Sequence, residues 1–264
     1  MDGYALLVRK RVNKLQRYFI NENADDGQRF FIRDKNDRHH IINVMRNCVG
    51  DHIIITFQNQ SVFECEITDI NDEYIQIMPK VKLDIHTELP LYVTICSGLI
   101  KADKYEWMLQ KATELGANEF WAVDMARSVV KLNQTKAMKK IDRWQKIVKE
   151  AAEQSYRLTI PSVKYMSNLK AVYDKISHYD YILIAYEEQA KQNERSHFRQ
   201  LLQCFKPNDH VLMIFGPEGG LTESEIEMFK DNSHTVGLGP RILRAETAPL
   251  YALSAMSYEN ELLG

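Results

Sequence analysis

The feature that most constrains this chain lies near its C-terminus, in residues 211–255. The segment opens with the apolar run VLMIF at 211–215, a pattern typical of a strand that is buried on both faces of a parallel sheet. A glycine-proline bend, GPEGG at 216–220, follows this strand, and a second glycine bend, LGPR at 238–241, ends a second short predicted strand at 234–238. Because a glycine bend before a helix exposes backbone amides, the two bends together predict one ligand pocket lined by main chain.

The first bend leads into a predicted helix, since Thr222 and Glu225 are spaced as a capping box. The phosphate-loop pattern requires a lysine and a serine or threonine directly after its last glycine, whereas Gly220 is followed by Leu221. Glu218 would also repel a phosphate, and the spacing of the dinucleotide fingerprint is absent. These residues favour an amphipathic ligand with an adenine ring, and two purely structural turns are the alternative on spacing alone.

Composition limits the class of protein. With 264 residues, a formal net charge of -2 and no apolar run long enough to cross a bilayer, the chain is predicted to form one large or two medium soluble domains. The N-terminus lacks a signal-peptide pattern and the cysteines are scattered without a C-x-x-C pair, so we expect a reduced, cytoplasmic setting and no zinc site. Nucleic-acid binding would depend on local basic patches.

The N-terminal third of the chain has a β pattern. Residues 1–14 are basic and are expected to be a disordered extension, and residues 15–86 are rich in β-branched and aromatic residues between short polar turns. Strands are predicted at 52–57, 62–68 and 74–78. A helix is predicted at 37–49, with Asp37 as its cap and Gly50 as its stop. This pattern favours a small β-barrel domain.

A hinge is predicted at 87–90, after which strands and helices alternate. Strands are predicted at 91–96, 119–124, 180–188, 211–215 and 234–238. Helices are predicted at 101–115, 138–155, 191–203 and 247–258. Such alternation predicts an α/β domain with a parallel sheet. Ligands bind such sheets beyond the carboxyl ends of the strands, so Ile184, Ala185 and Glu187 are candidate pocket residues.

The helix at 138–155 has two different faces. Its buried stripe is predicted to contain Met138, Ile141, Trp144, Val148, Ala151 and Ser155. Lys139, Arg143 and Lys146 belong to the remaining face, which is strongly basic. Such a face is either a solvated surface or a surface that contacts RNA phosphates, and phosphate contacts carry no sequence information.

Several segments carry a resemblance to a known family. FGPEGGLTESE followed by LGPRILRAETA is similar to the paired signature of the SPOUT class of RNA methyltransferases, which bind S-adenosylmethionine in a knotted C-terminal fold. More narrowly, the chain resembles the bacterial RsmE type, which methylates N3 of a uridine in 16S ribosomal RNA. The further matching segments are LQRYFI, KADKYEWMLQKATELGA, ARSV, and RWQKIVKEAAEQSYR with Pro161. Together they cover most of the chain after residue 14.

The resemblance implies a PUA-like RNA-binding β-barrel domain at 15–86 and a SPOUT methyltransferase domain at 87–264 that ends in a trefoil knot. It also implies S-adenosylmethionine as cofactor, a homodimer, and 16S ribosomal RNA or the small ribosomal subunit as partner. A structural or oligomerisation barrel is the alternative for the first domain. For the whole chain, the alternatives are a non-enzymatic RNA-binding protein and a nucleotide-dependent enzyme; the retained GPEGG and RILRAETA segments argue against the former.

The cofactor-binding residues follow from the same resemblance. They are expected to be Ile184, Glu187, Gly216, Pro217, Glu218, Gly219, Gly220, Leu238, Gly239, Arg241, Ile242, Leu243, Arg244, Thr247 and Ala248. A side chain at Gly219 is expected to fill the adenine slot. Arg244 is expected either to serve the ligand or to pair with Glu246.

Loss of the N3 proton leaves negative charge on both carbonyl oxygens of uracil, and arginine donors suit such an anion. The candidate arginines are Arg127, Arg157, Arg241 and Arg244, of which Arg127 and Arg157 are the preferred catalytic residues that meet the RNA. The candidate proton acceptor is Glu153 or a water. The candidate RNA-contacting residues are Arg33, Arg38, Arg46, Lys139, Arg143 and Lys146. The adjacent His39 and His40 do not share a helix face and have no third ligand at a useful spacing, so no metal site is expected.

Overall fold

The computed structural model describes residues 15–24, 27–186 and 195–263. The chain divides into two compact units, Met1–Thr87 and Glu88–Gly264. This division falls within the segment for which the sequence predicts a hinge. The predicted extension at residues 1–14 lies outside the described residues.

The first unit is built on a mixed sheet. Its strands are β1 (Arg17–Ile20), β2 (Phe30–Ile32), β3 (His52–Phe57), β4 (Val62–Ile70) and β5 (Ile75–Leu83). They lie in the order β1-β3-β4-β5-β2, with β1 parallel to β3 and the other neighbours antiparallel. Isoleucine and phenylalanine side chains from all five strands form the core of the unit. The three strands predicted for this region are confirmed.

The helix of the first unit begins earlier and ends earlier than predicted. Helix α1 covers Lys35–His39 and continues as a π-helical turn at His40–Val44, instead of running from 37 to 49. Its cap is Asp34, whose carboxylate accepts hydrogen bonds from the amides of residues 36 and 37. The predicted cap, Asp37, is buried inside the helix. Asp34 and Asp37 are both suitable cap residues. Because β2 ends at Ile32, Asp34 is the first of the two after the strand, and the helix begins there.

The second unit is built on a parallel sheet. Its strands are β6 (Tyr92–Gly98), β7 (Glu119–Val123), β8 (Ser162–Met166), β9 (Tyr181–Ala185), β10 (His210–Phe215) and β11 (His234–Val236). They lie in the order β11-β9-β10-β6-β7-β8, and every neighbouring pair is parallel. The parallel α/β arrangement is therefore confirmed. Strand β8 is missed by sequence reasoning because its run, SVKYM, is short and half polar.

Helices flank this sheet. They are α2 (Ala102–Glu114), α3 (Gln134–Gln154), α4 (Leu169–Tyr173), α5 (Arg195–Leu202), α6 (Glu223–Glu227) and α7 (Ala248–Ser257). The capping box at the start of α6 is confirmed: the Thr222 amide donates to Glu225 Oε2 at 2.8 Å, and the Glu225 amide donates to Thr222 Oγ1 at 3.2 Å. The prediction that Met138 is buried is wrong, since its side chain is 64 % exposed and Ala137 is buried instead.

Strand β10 lies inside this sheet and separates two apolar layers. Val211, Met213 and Phe215 belong to one cluster with residues of α2, α3, α5 and α7, whereas Leu212 and Ile214 belong to another with residues of α4. Alternate residues of a strand point to opposite faces, which explains why this run is apolar without a break. The first bend therefore begins at the carboxyl edge of the sheet. In the described residues no helix combines the length and apolar character needed to span a membrane.

Candidate cofactor and RNA site

A pocket of about 780 Å³ opens at the carboxyl edge of the parallel sheet. The first bend forms one part of its wall, and residues of the second bend with the segment 241–246 form another. Ala185, Tyr186 and Phe215 contribute where β9 and β10 end. The prediction that the two glycine bends meet at one cavity is therefore confirmed. A cavity of this volume suits a small organic ligand.

The first bend folds closely on itself at Gly216. A Cβ atom there would lie 2.9 Å from the carbonyl carbon of Gly220 and from the amide nitrogen of Leu221. Gly239 in the second bend has a φ of +92°, in the left-handed region that favours glycine. Main-chain groups therefore form the tight parts of this wall, and a flat ring could approach them closely.

The loop that follows β7 braces the first bend. Arg127 Nη1 donates to the carbonyl oxygens of Gly219 and Leu221, at 3.2 Å each, and the Ala126 amide donates to Glu225 Oε1 at 2.9 Å. We call these contacts the Arg127 brace. A Cβ atom at Gly219 would lie 2.9 Å from Arg127 Cβ. A side chain at Gly219 would therefore meet the brace, and not the adenine slot that the sequence predicts.

A second charged pair lies on the pocket wall. Glu246 is 8 % exposed, and its Oε1 lies 3.1 Å from Nζ of Lys104 in α2. Burial raises the pKa of Glu246, but its own backbone amide, Lys104 and the charge of Arg244 outweigh burial and hold that pKa below its ordinary value. Lys104 makes the close contact with Glu246, and the charge of Arg244 acts on the same carboxylate, so both roles expected for Arg244 stay predictions.

Arg157 lies in a different environment, inside the protein. It is 1 % exposed, its Nε and Nη2 donate to the Glu88 carboxylate, and its Nη1 donates to the carbonyl oxygens of Thr113 and Ala117 at 2.8 and 2.9 Å. Glu88 also accepts from the Leu158 amide. We call this group the Arg157 network. The prediction that Arg157 meets the RNA is wrong, because its donors are used within the fold.

Comparisons with known proteins agree with this geometry. The family described as RNA methyltransferase domain matches residues 87–257, and the family described as RNA methyltransferase PUA domain matches residues 32–78. The chain is 45 % identical over 253 residues to "Ribosomal RNA small subunit methyltransferase E" of Bacillus subtilis (strain 168), covering 94 % of this chain and 98 % of that protein.

The chain belongs to the ribosomal RNA small subunit methyltransferase E family.

Solved structures of similar proteins share this fold. One, described only as a hypothetical protein, is 43 % identical with a TM-score of 0.87 and covers 94 % of this chain and 100 % of that chain. Another is a ribosomal RNA small subunit methyltransferase E from Neisseria gonorrhoeae bound to S-adenosyl methionine. It is 29 % identical with a TM-score of 0.77, and covers 92 % of this chain and 97 % of that chain.

Most residues expected to bind the cofactor line the pocket of this family member. They are Gly216, Pro217, Glu218, Gly219, Gly220, Leu238, Gly239, Arg241, Ile242, Leu243, Arg244 and Ala248. Thr247 is not among the lining residues, and Glu187 lies outside the described residues. Ile184 is buried in the cluster on the opposite face of the sheet, so the prediction for Ile184 is wrong. Ala185, which was expected at the same strand end, does line the pocket, because adjacent strand residues point to opposite faces of the sheet.

The candidate catalytic residues separate into two groups. Arg127 lines the pocket, where Nη1 holds the main chain of the first bend. Glu153 is not among the lining residues, and its Oε1 accepts from Lys149 Nζ at 2.7 Å, one turn earlier in α3. Lys104 and Glu246 line the pocket and were not proposed as site residues, because their pairing joins distant parts of the sequence.

The candidate RNA-contacting arginines of the first unit differ in exposure and in their contacts within the protein. Arg33 is exposed, and its guanidinium carbon lies 5.2 Å from the ring centre of Phe31. Arg38 Nη2 donates to the Asn71 and Asp72 carbonyl oxygens and so supports the turn between β4 and β5. Arg46 is exposed in a turn with a φ of +58°. Contact of these arginines with RNA stays a prediction.

The basic face of α3 is also only partly free. Lys139 and Lys146 are exposed, whereas Arg143 Nη2 donates to Glu106 Oε2 at 2.7 Å. In the first unit, His40 Nδ1 is hydrogen-bonded to the Tyr18 hydroxyl at 2.8 Å, which gives this histidine a structural partner. Within the described ranges there is no group of three or more His, Cys, Asp or Glu side chains that could hold a metal ion.

Proposed function

We propose that this protein methylates N3 of a specific uridine in 16S ribosomal RNA, with S-adenosylmethionine as the methyl donor. The observation that carries the proposal is the single pocket formed by the two glycine bends in a member of this family. The Neisseria gonorrhoeae relative has been solved with S-adenosyl methionine. The alternative, a nucleotide-dependent enzyme with an anion site in the first bend, is disfavoured because no phosphate-loop lysine follows Gly220.

The pocket suits such a cofactor on physical grounds. Its tight walls are main chain at Gly216 and Gly239, which allows a purine ring to lie against backbone groups. Backbone of residues 216–220 and 238–243 would hold the adenine, and Ala248 at the start of α7 would close the pocket. When bound, the cofactor would supply an electrophilic methyl group, and its sulfonium would leave as a neutral thioether.

The chain's own residues have three tasks in this reaction. The Arg127 brace holds the first bend in place, so that the bound ligand is positioned before reaction. Cationic side chains on the pocket wall, Lys104, Arg127, Arg241 and Arg244, lower the cost of forming a uracil anion. The apolar ends of β9 and β10 limit the access of water to the site.

RNA would be held by both units. We assign residues 15–86 as the PUA-like RNA-binding domain and residues 87–264 as the methyltransferase domain, in line with the two family matches. Arg33 and Arg46 offer exposed charges in the first, and Lys139 and Lys146 in the second. A ribosomal RNA substrate implies that the enzyme acts in the cytoplasm during maturation of the small ribosomal subunit.

The C-terminal trefoil knot and the homodimer are parts of the same proposal. The bend after β10 lies beside the end of β6, where a Cβ atom at Gly98 would lie 2.6 Å from the Pro217 ring, and the Arg127 brace ties the same bend to the loop after β7. Because β6 and β10 are neighbouring strands, this closeness follows from their pairing, and the threaded chain, an exception among folds, is proposed from membership of the family. Tyr251 in α7, with Tyr258 and Leu262 after it, forms an exposed apolar stripe. Such a stripe supports a dimer contact.

Mapping of methylated uridines tests the proposed function. 16S ribosomal RNA from cells with and without the protein would be digested and analysed by mass spectrometry, with re-expression of the protein as the control. We expect one uridine to carry an N3 methyl group only when the protein is present. An unchanged methylation pattern would rule out this substrate, and calorimetric binding of ATP or NAD but not S-adenosylmethionine would rule out the cofactor.

A further inference from the structure

Lys104 and Glu246 come from separate elements and meet on the wall of the pocket. Lys104 is the third residue of α2, and Glu246 lies two residues before α7. The ammonium lies 3.1 Å from Glu246 Oε1, and both residues line the cavity. The pair is therefore a fixed charged group inside the site, although the sequence pattern did not mark either residue as a ligand contact.

The position of Lys104 is an unfavourable one for a cation. The first turn of a helix carries a partial positive charge and favours anions, and the Lys104 side chain is only 33 % exposed. Burial further disfavours an ammonium unless a carboxylate compensates. A buried carboxylate nevertheless holds the Lys104 ammonium at this place, beside a cavity. This arrangement indicates that the positive charge interacts with a ligand in the cavity.

Glu246 is suited to orient this ammonium. Its pKa is held below the ordinary carboxylate value, so it is ionised at neutral pH. An ammonium has three donors. In the described part of the chain Glu246 is the acceptor found for Lys104, which leaves donors of Lys104 to the cavity. By contrast, Arg127 uses Nη1 on two carbonyl oxygens of the first bend.

We propose that Lys104, oriented by Glu246, binds an oxyanion of the ligands that enter this pocket. This inference rests on the proposed function. Two ligand groups have the required chemistry: the carboxylate of the cofactor's amino-acid portion, and the uracil ring after N3 loses its proton, when the charge lies on the carbonyl oxygens. Lys104 would contact the anion directly, whereas Glu246 is a positioning residue that acts through Lys104.

Calorimetry separates the two sources. The binding of S-adenosylhomocysteine and of methylthioadenosine, which lacks the amino acid, would be measured for the full chain, Lys104→Met and Lys104→Gln. The matched control is Lys111→Met, on the same helix, where the lysine pairs with Glu114 near the surface. If the carboxylate is the partner, both Lys104 variants lose about tenfold or more in affinity for S-adenosylhomocysteine but not for methylthioadenosine.

Methyl transfer provides the other arm of the test. If the uracil anion is the partner, both affinities are retained while kcat falls by about tenfold or more, as for loss of one oxyanion donor. The pH-rate profile then moves to higher pH, because the ionised uracil has lost a stabilising charge. Affinities, kcat and pH profile that all match Lys111→Met in a folded Lys104 variant would overturn the inference.

The role of Glu246 has its own readout. Because Glu246 acts through Lys104, Glu246→Gln should cause a smaller loss than Lys104→Met, and the double variant should be no worse than Lys104→Met. A further loss in the double variant would mean that Glu246 touches the ligand itself, which overturns its positioning role. If the unaltered protein binds neither adenosyl compound, the proposed function fails and this inference falls with it; a null result in a binding-competent protein removes this inference alone.

Discussion

The glycine bends and the Arg157 network both resemble family motifs, yet they use hydrogen-bonding capacity in opposite ways. The bends bring main chain to the wall of an open cavity of about 780 Å³. Arg157 is buried and directs its guanidinium to Glu88 and to two backbone carbonyl oxygens. A family motif can therefore bind a ligand or stabilise the fold. A motif that binds a ligand lies on a cavity, whereas the donors of a stabilising motif are used by other groups of the protein.

The largest effect should come from breaking the Arg157 network. Arg157→Met takes the guanidinium away from Glu88, which keeps the donors of residues 158 and 159, and leaves the carbonyl oxygens of Thr113 and Ala117 without this donor. Removal of one partner of a buried pair costs about 3–5 kcal/mol. We expect a lower urea midpoint of unfolding, with cofactor affinity retained in the folded protein. The control is Arg143→Met, because the guanidinium that pairs with Glu106 is exposed to solvent and its loss should lower the urea midpoint much less.

A different result for Arg157→Met would contradict the distinction between the glycine bends, which bind a ligand, and the Arg157 network, which stabilises the fold. If the variant unfolds at the same urea concentration as Arg143→Met but loses methyl transfer, Arg157 acts in the reaction and not in the fold.

The next largest effect should appear at the first bend. In Gly219→Val the new side chain meets the Arg127 brace, and such overpacking typically costs about 1–3 kcal/mol. Because the first bend must keep its shape to hold the cofactor, we expect affinity to fall by about fivefold to 150-fold. Calorimetry with S-adenosylhomocysteine measures this loss. Gly50→Val is the matched control: its φ of +94° is strained for valine, but it lies in the first unit, so it should lower stability without changing affinity. Equal affinities for the two variants would contradict a main-chain cradle.

A smaller effect is expected on the basic face of α3. Lys139→Gln with Lys146→Gln should weaken RNA binding and reduce the slope of log affinity against log salt by up to about 2, because each released phosphate contact contributes about 0.7–0.9. Lys170→Gln with Lys230→Gln removes the same charge from lysines paired with Asp174 and Glu227 and should change the slope less. Equal slopes for both double variants would mean that the α3 face is only solvated.

The smallest effect concerns the pH dependence contributed by Glu246. Its pKa is lowered in the folded protein, so its stabilising contribution is present above the ordinary carboxylate pKa and is lost as pH falls through the lowered value. The stability difference between the protein and Glu246→Gln should therefore be largest near neutral pH and should shrink as the pH falls below the ordinary carboxylate pKa and through the lowered pKa of Glu246. Urea unfolding at several pH values measures it. A difference that grows in acid would contradict an ionised Glu246.

Local patterns were sufficient for much of the fold. Uninterrupted apolar runs predicted β3 and β10, and a capping box predicted the start of α6, because each depends on residues that are neighbours in sequence. The paired bends also predicted the pocket. A pattern that fits two alternatives was less informative. Asp34 and Asp37 both suit a helix cap. Ile184 was expected in the pocket, but adjacent residues of a strand point to opposite faces of the sheet, and Ile184 points to the other face.

Long-range pairings could not be predicted from the same patterns. Arg157 is an attractive catalytic arginine until Glu88, 69 residues away, is seen to bind it. Lys104 lies on a helix that the sequence predicts well, but its contact with Glu246 depends on how α2 and the C-terminal segment pack. Such contacts decide whether a charged residue serves the fold or a ligand, and they become visible only in three dimensions.

The most direct test of the central claim is a crystal structure of the protein with S-adenosylhomocysteine. The account predicts that the adenine lies within hydrogen-bond distance of main-chain groups from both residues 216–220 and residues 238–243. Density for the ligand elsewhere, or contacts with neither bend, would contradict it.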